Sequence, residues 1–111
     1  MRPKILSCLL LTAAAPGALA AGDWEGRAEA TYRSVCAHCH DSGLLDAPKM
    51  GDAGAWKPRI AEGQKALTRL AIKGIRKMPP RGGNPSLTDA EVAAAVTYLV
   101  NRSGGKFKYP D

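Results

Sequence analysis

The chain has 111 residues, with sixteen Lys and Arg against ten Asp and Glu, 45% hydrophobic and 5% aromatic residues, and three cysteines. That length holds one small domain with a limited core. The basic excess suits an acidic protein partner, but with no long basic run and no interleaved aromatic platform it makes no case for nucleic acid.

Residues 1–20 read as a secretory signal peptide. Arg2 and Lys4 form a short basic region, Ile5 to Ala15 is mostly apolar, and Ala18-Leu19-Ala20 is a small-residue cleavage pattern. Cleavage is expected after Ala20, with Ala21 or a retained anchor as the alternatives. The apolar stretch falls short of the ~20 residues of a spanning helix, which weighs against a retained anchor, and no stable membrane insertion is expected after cleavage. Cys8 leaves with the signal. Because the signal takes two of the sixteen bases and none of the acids, fourteen bases face ten acids in the remaining domain, residues 21–111.

Helical periodicity dominates that domain, and no run alternates like a strand; the expected class is all-α. Glu25 to Val35 is predicted to form a first helix, with Ala28, Tyr32 and Val35 on a shared face. It feeds directly into Cys36-Ala37-His38-Cys39-His40. Two thiols three positions apart lie on adjacent points of a helical turn, within reach of the two vinyl groups on one edge of a porphyrin. The imidazole that follows is then placed to ligate the iron. Other uses of Cys-x-x-Cys compete. A thioredoxin-like site wants a preceding strand, zinc wants four ligands from more than one cluster, and a plain Cys36–Cys39 disulfide remains open for the apoprotein.

Asp41 to Ala55 is rich in Gly, Asp and Pro and reads as loop. Within it the Pro48 carbonyl is placed to accept a hydrogen bond from His40 Nδ1, or Pro48 only shapes the loop. A short helix is expected over Trp56 to Gly63, with Pro58 in its first turn. A longer one follows over Gln64 to Lys73, where Leu67, Leu70 and Ala71 share a face and Gly74 is the stop. Met78-Pro79-Pro80 comes next. Met50 is too close to His40 in sequence to circle a porphyrin, and His38 is tethered between the cysteines, which leaves Met78 as the candidate second axial ligand. Thr88-Asp89-Ala90-Glu91 is a capping box, and Val92, Ala95, Val96 and Leu99 form the apolar stripe of a last helix ending at Asn101 to Gly105. The small residues beside that stripe invite the first helix. Lys106 to Asp111 is expected to be a loose tail.

CAHCH, then APKMGDAGAWKPRIAEG, then ALTRLAIKGIRKMPPRGGNPSLTDAEVAAAVTYLV resembles the small bacterial class I c-type cytochromes of the cytochrome c5 kind, over residues 25–100. The resemblance implies the cytochrome c fold, three to four helices around one haem c bound covalently through Cys36 and Cys39, with His40 and Met78 as axial ligands. By position it places Trp56 and Arg59 near the haem propionates and Pro48 behind the axial histidine. Trp56 as a core aromatic and Arg59 as a solvated charge are the alternatives. Some members carry a further cysteine pair shortly after the axial methionine; Gly82-Gly83-Asn84-Pro85 stands there in this chain.

The functional expectation is a soluble periplasmic carrier of one electron and no enzyme. Its partners would be a membrane reductase and a terminal oxidase or periplasmic dehydrogenase. Lys49, Lys57, Lys73, Arg76, Lys77 and Arg81 either steer it to acidic rims or keep it soluble. A haem protein that binds gas or peroxide, and a dedicated cytochrome subunit of an oxidoreductase complex, are the competing expectations.

Overall fold

The computed structural model describes residues 23–111, and the expected signal lies outside the described residues. Helix α1, Trp24–Thr31, runs without a break through a π-helical turn, Tyr32–Cys36, into α2, Ala37–His40. The expected first helix therefore extends through both cysteines. In the π turn the Ala37 amide donates back to the Tyr32 carbonyl, one residue further than in an α-helix.

Helix α3, Ala53–Ile60, starts three residues earlier than the pattern predicted, because the Asp52 carboxylate accepts from the Ala55 amide at 3.1 Å and caps it. Pro58 consequently lies inside the helix and not in its first turn, and the Gly54 carbonyl loses its helical donor. Helix α4, Gln64–Lys73, has the expected bounds, with Gly74 at its C-terminal end at φ 82°. Helix α5, Asp89–Asn101, has the expected capping box: Thr88 Oγ1 accepts from the Glu91 amide at 3.1 Å, and Glu91 Oε1 accepts from the Thr88 amide at 3.0 Å.

The first and last helices pack together, as their small residues invite. Ala28, Ala94 and Val100 are buried at this crossing, and the Tyr32 and Tyr98 rings meet at 5.4 Å with a tilt of 40°. Arg102 closes the end of the pair, its guanidinium 3.7 Å from the Tyr98 ring centroid and its Nη2 3.5 Å from Glu25. With α4 also packed on α5 and α3 beside α4, the described residues form an all-α arrangement.

The C-terminal segment departs from expectation. Residues 106–109 are not loose: Asn101 Nδ2 donates to the Phe107 carbonyl at 3.0 Å while its Oδ1 accepts from the Phe107 amide, and Gln64 engages both backbone groups of Lys108 in the same manner. Side-chain amides offer a donor and an acceptor together, so each imitates a partner strand for one residue. Phe107 and Tyr109 pack against the core as a result.

Candidate functional site

The π turn and α2 present Cys36 and His40 to one cleft. Ala71 from α4 and Val92, Ala95 and Leu99 from α5 line it, and Met78 reaches it from the loop after α4. The cleft is narrow, with a cavity volume of about 30 Å³. Its surface is almost wholly carbon and sulfur, interrupted by the imidazole and by Arg81. Met78, 38 residues past His40, thus meets Cys36 and His40 at one apolar site.

His40 is buried, at 9% exposure. Its Nδ1 lies 2.7 Å from the Pro48 carbonyl, and the Met50 amide donates to the His40 carbonyl at 2.8 Å. The first contact holds the ring as the Nδ1–H tautomer with Nε2 free. Burial keeps His40 below the ordinary imidazole value, the Pro48 carbonyl opposes that shift, and the nearby Arg59 charge adds to it. The ring is neutral at pH 7, the form that ligates a metal. Burial likewise pushes the Cys36 thiol up to about 11, so Cys36 is a thiol and not a thiolate; Cys36 and Cys39 are both unpaired.

Met78 is positioned by its backbone. Ile75 and Met78 exchange two hydrogen bonds, Ile75 amide to Met78 carbonyl at 3.0 Å and the reverse at 2.8 Å, across a turn in which Arg76 takes φ 51°. Gly74 makes the turn possible. A Cβ there would stand 2.8 Å from the Met78 carbonyl oxygen and 2.9 Å from the Pro80 nitrogen, both backbone atoms that a side chain cannot push aside. Further along, a Cβ on Gly82 would meet Val35 Cγ1 at 2.9 Å, which packs the same loop onto the π turn.

The remaining predicted site residues lie around this cleft and not on it. Cys39 is half-buried on α2. The Trp56 ring packs 5.8 Å from the His40 ring, and its indole N–H donates to the Lys49 carbonyl at 2.9 Å. Arg59 is half-buried and donates from Nη1 to the Ala55 carbonyl. Met50 packs against the core, and His38 is exposed. Arg81, expected among the free surface cations, is instead half-buried on the cleft, paired with Asp89 at 2.6 Å and donating to the Leu87 carbonyl at 3.0 Å.

Sequence reasoning did not single out Asp41. Its carboxylate accepts from the hydroxyl of fully buried Tyr32, bracketing the haem-binding motif with one hydrogen bond from the π turn to the residue after His40. Gly74 was legible only as a helix stop. Among the described residues no three His, Cys, Asp or Glu side chains are grouped to hold a metal ion by themselves. The donor set of two thiols, one neutral imidazole and one thioether around an apolar cleft fits an iron porphyrin attached by thioethers.

The comparisons agree with that chemistry. Residues 25–99 match the family model described as cytochrome C oxidase, cbb3-type, subunit III. Cytochrome c-555 of Chlorobaculum tepidum is 49% identical over 79 residues, 68% of this chain and 73% of that protein. Cytochrome c5 of Ectopseudomonas mendocina is 37% identical over 84 residues, 74% of this chain and 97% of that protein. A chain from the crystal structure of the electron transfer complex of nitrite reductase with cytochrome c superposes with a TM-score of 0.67 at 44% identity, covering 69% of this chain and 94% of that one.

Proposed function

From the premise that this chain belongs to the small class I c-type cytochromes, carries haem c on Cys36 and Cys39 and transfers electrons, we propose that it is a periplasmic one-electron shuttle with His40 and Met78 as its axial ligands. The observation that supports this reading is the convergence of Cys36, His40 and Met78 on one apolar cleft. Bound haem supplies the one-electron iron couple. The protein's own groups do the rest. Pro48 orients His40, the Ile75–Met78 backbone pair holds the thioether, and Val92, Ala95 and Leu99 exclude water, which favours the less charged ferrous state. His40 and Met78 would together hold the iron and leave no position for a substrate, so this reading is of a carrier and not an enzyme.

Residues 1–20 direct export in this reading, and thioether attachment takes place after it. Among the described residues no helix is long and apolar enough to cross a membrane. The partners are redox proteins, a reductase and an oxidase or dehydrogenase, met through the cleft-flanking cations Lys49, Lys57, Arg76 and Lys77, all exposed. A second reading, a dedicated subunit of an oxidase complex, draws on the description of the matched family. Fractionation separates the two: a shuttle is recovered free in the periplasmic fraction, a subunit with the membrane complex.

The central test is spectroscopic. The exported protein, made in a host able to attach haem, is expected to start after Ala20 or Ala21, to exceed its peptide mass by one haem, and to show a weak near-infrared sulfur-to-iron band when oxidised. Met78→Ala abolishes that band, lowers the potential and lets carbon monoxide bind the reduced protein. A mass equal to that of the amino acids alone overturns the reading, and a band that survives Met78→Ala overturns the ligand assignment.

A further inference from the structure

Helix α4 has two working faces. Leu67 and Ala71 turn inward, Ala71 onto the cleft. About half a turn away, Lys65, Arg69 and Lys73 recur every fourth residue, so their exposed side chains stand one above another. Like charges at this spacing repel and destabilise a helix. None of the three joins an ion pair among the described residues, where those pairs belong to Arg33, Arg81 and Arg102.

These three cations and Lys108 border an open depression of about 730 Å³ with Ile72, Ala93 and Tyr109 in its lining and Asp111 as its one carboxylate. Its far rim is the C-terminal segment. That rim is built in advance, because Gln64 binds both backbone groups of Lys108 and Thr97 Oγ1 lies 3.4 Å from the Lys108 carbonyl. A surface ordered before binding loses little freedom when it is occupied.

We propose that this depression docks an acidic, extended segment of a partner protein, with carboxylates on Lys65, Arg69, Lys73 and Lys108 and an apolar side chain against Ile72 and Tyr109. Charge complementarity selects the occupant. The chain's own residues 1–22 contain two bases and no acid, and a second copy would bring another basic surface. A flat anionic membrane would meet the cationic rim and leave the apolar floor unfilled. The depression shares no lining residue with the cleft, so an occupant there leaves the residues of the cleft uncovered. A partner can hold the protein by this face while electrons pass at the other. That consequence rests on the carrier reading; the binding itself does not.

The test uses the reduced holoprotein, nitrogen-15 labelled, at low ionic strength, titrated with a short synthetic peptide alternating Glu and Leu. Amide shifts are expected at residues 65–73 and 108–110. Lys65→Glu/Arg69→Glu is expected to weaken the peptide by about tenfold, while Lys49→Glu/Lys57→Glu changes the Kd by less than about twofold. All four positions are exposed, and an unchanged haem spectrum and circular dichroism verify folding. Shifts confined to residues 49–57 and 75–78, or an affinity indifferent to Lys65→Glu/Arg69→Glu, overturn the proposal. So does binding of phosphatidylglycerol vesicles through residues 65–73 without any response to the peptide. A chain that lacks haem fails the earlier test by its mass, so the two failures are distinguishable.

Discussion

His40 closes a continuous helical run, whereas Met78 hangs from a four-residue turn between a glycine and two prolines. On the histidine side, position follows from local hydrogen bonds: the π turn, the Tyr32–Asp41 contact, and the Pro48 carbonyl on Nδ1. On the methionine side the backbone is threaded through a space that admits no Cβ at residue 74 and bends with Arg76 and Arg81 at positive φ. Redundant polar contacts tolerate the loss of one member. A steric passage between backbone atoms does not, and this asymmetry tells where the site breaks first.

Gly74→Ala is the sharpest break. It combines a strained φ with contacts to backbone, and about 3 kcal/mol of stability is expected to be lost, together with the near-infrared sulfur-to-iron band. Thermal unfolding and the oxidised spectrum of the holoprotein check both. An unchanged midpoint with an intact band would mean the loop has room that the geometry denies it.

Tyr32→Phe probes the histidine side and should cost about 1 kcal/mol, the worth of one hydrogen bond whose carboxylate partner stays near water. It also changes a pH dependence. Burial, and then the Asp41 carboxylate, raise the Tyr32 phenol above its ordinary value of 10.0, so the folded protein keeps a proton that the unfolded chain releases. The unfolded state then binds fewer protons, and stability falls as pH rises above about 10. In Tyr32→Phe that slope is reduced and not abolished, because burial raises Tyr109 in the same direction. Denaturant midpoints taken between neutral and strongly alkaline pH measure it; parallel curves for the two proteins would exclude the effect.

Thr88→Ala removes one half of the capping box and lies on neither ligand's path. It should cost about 1 kcal/mol and leave the haem spectrum as it was. The smallest effect is expected from Pro48→Ala. The acceptor for His40 is a backbone carbonyl that survives the substitution, so the spectrum should persist and stability should move by only about 0.5 kcal/mol. Loss of histidine ligation in that variant would show that the ring of Pro48, and not its carbonyl, positions His40.

Legibility followed the range of the interactions. The capping box at Thr88, the stop at Gly74 and the span of α4 were readable because each depends on groups within four residues. The approach of His40 to Pro48 was also readable, across eight residues. The clasp on residues 106–109 was not, since Gln64 and Lys108 are separated by 44 positions and a lone amide side chain carries no mark of its partner. The indole N–H of Trp56 bonds to the Lys49 carbonyl, and Arg81 to Asp89 and Leu87, contacts that no local pattern announces.

The sequence by itself determined the covalent chemistry and the helical periodicity, because Cys36, Cys39 and His40 act within one turn of backbone and apolar spacing acts along one helix. Only the tertiary structure decided that residue 74 must lack a side chain and that the C-terminal segment is fastened. Those features arise where distant segments exclude or pair with one another, and excluded volume between backbones leaves no pattern in the order of the residues.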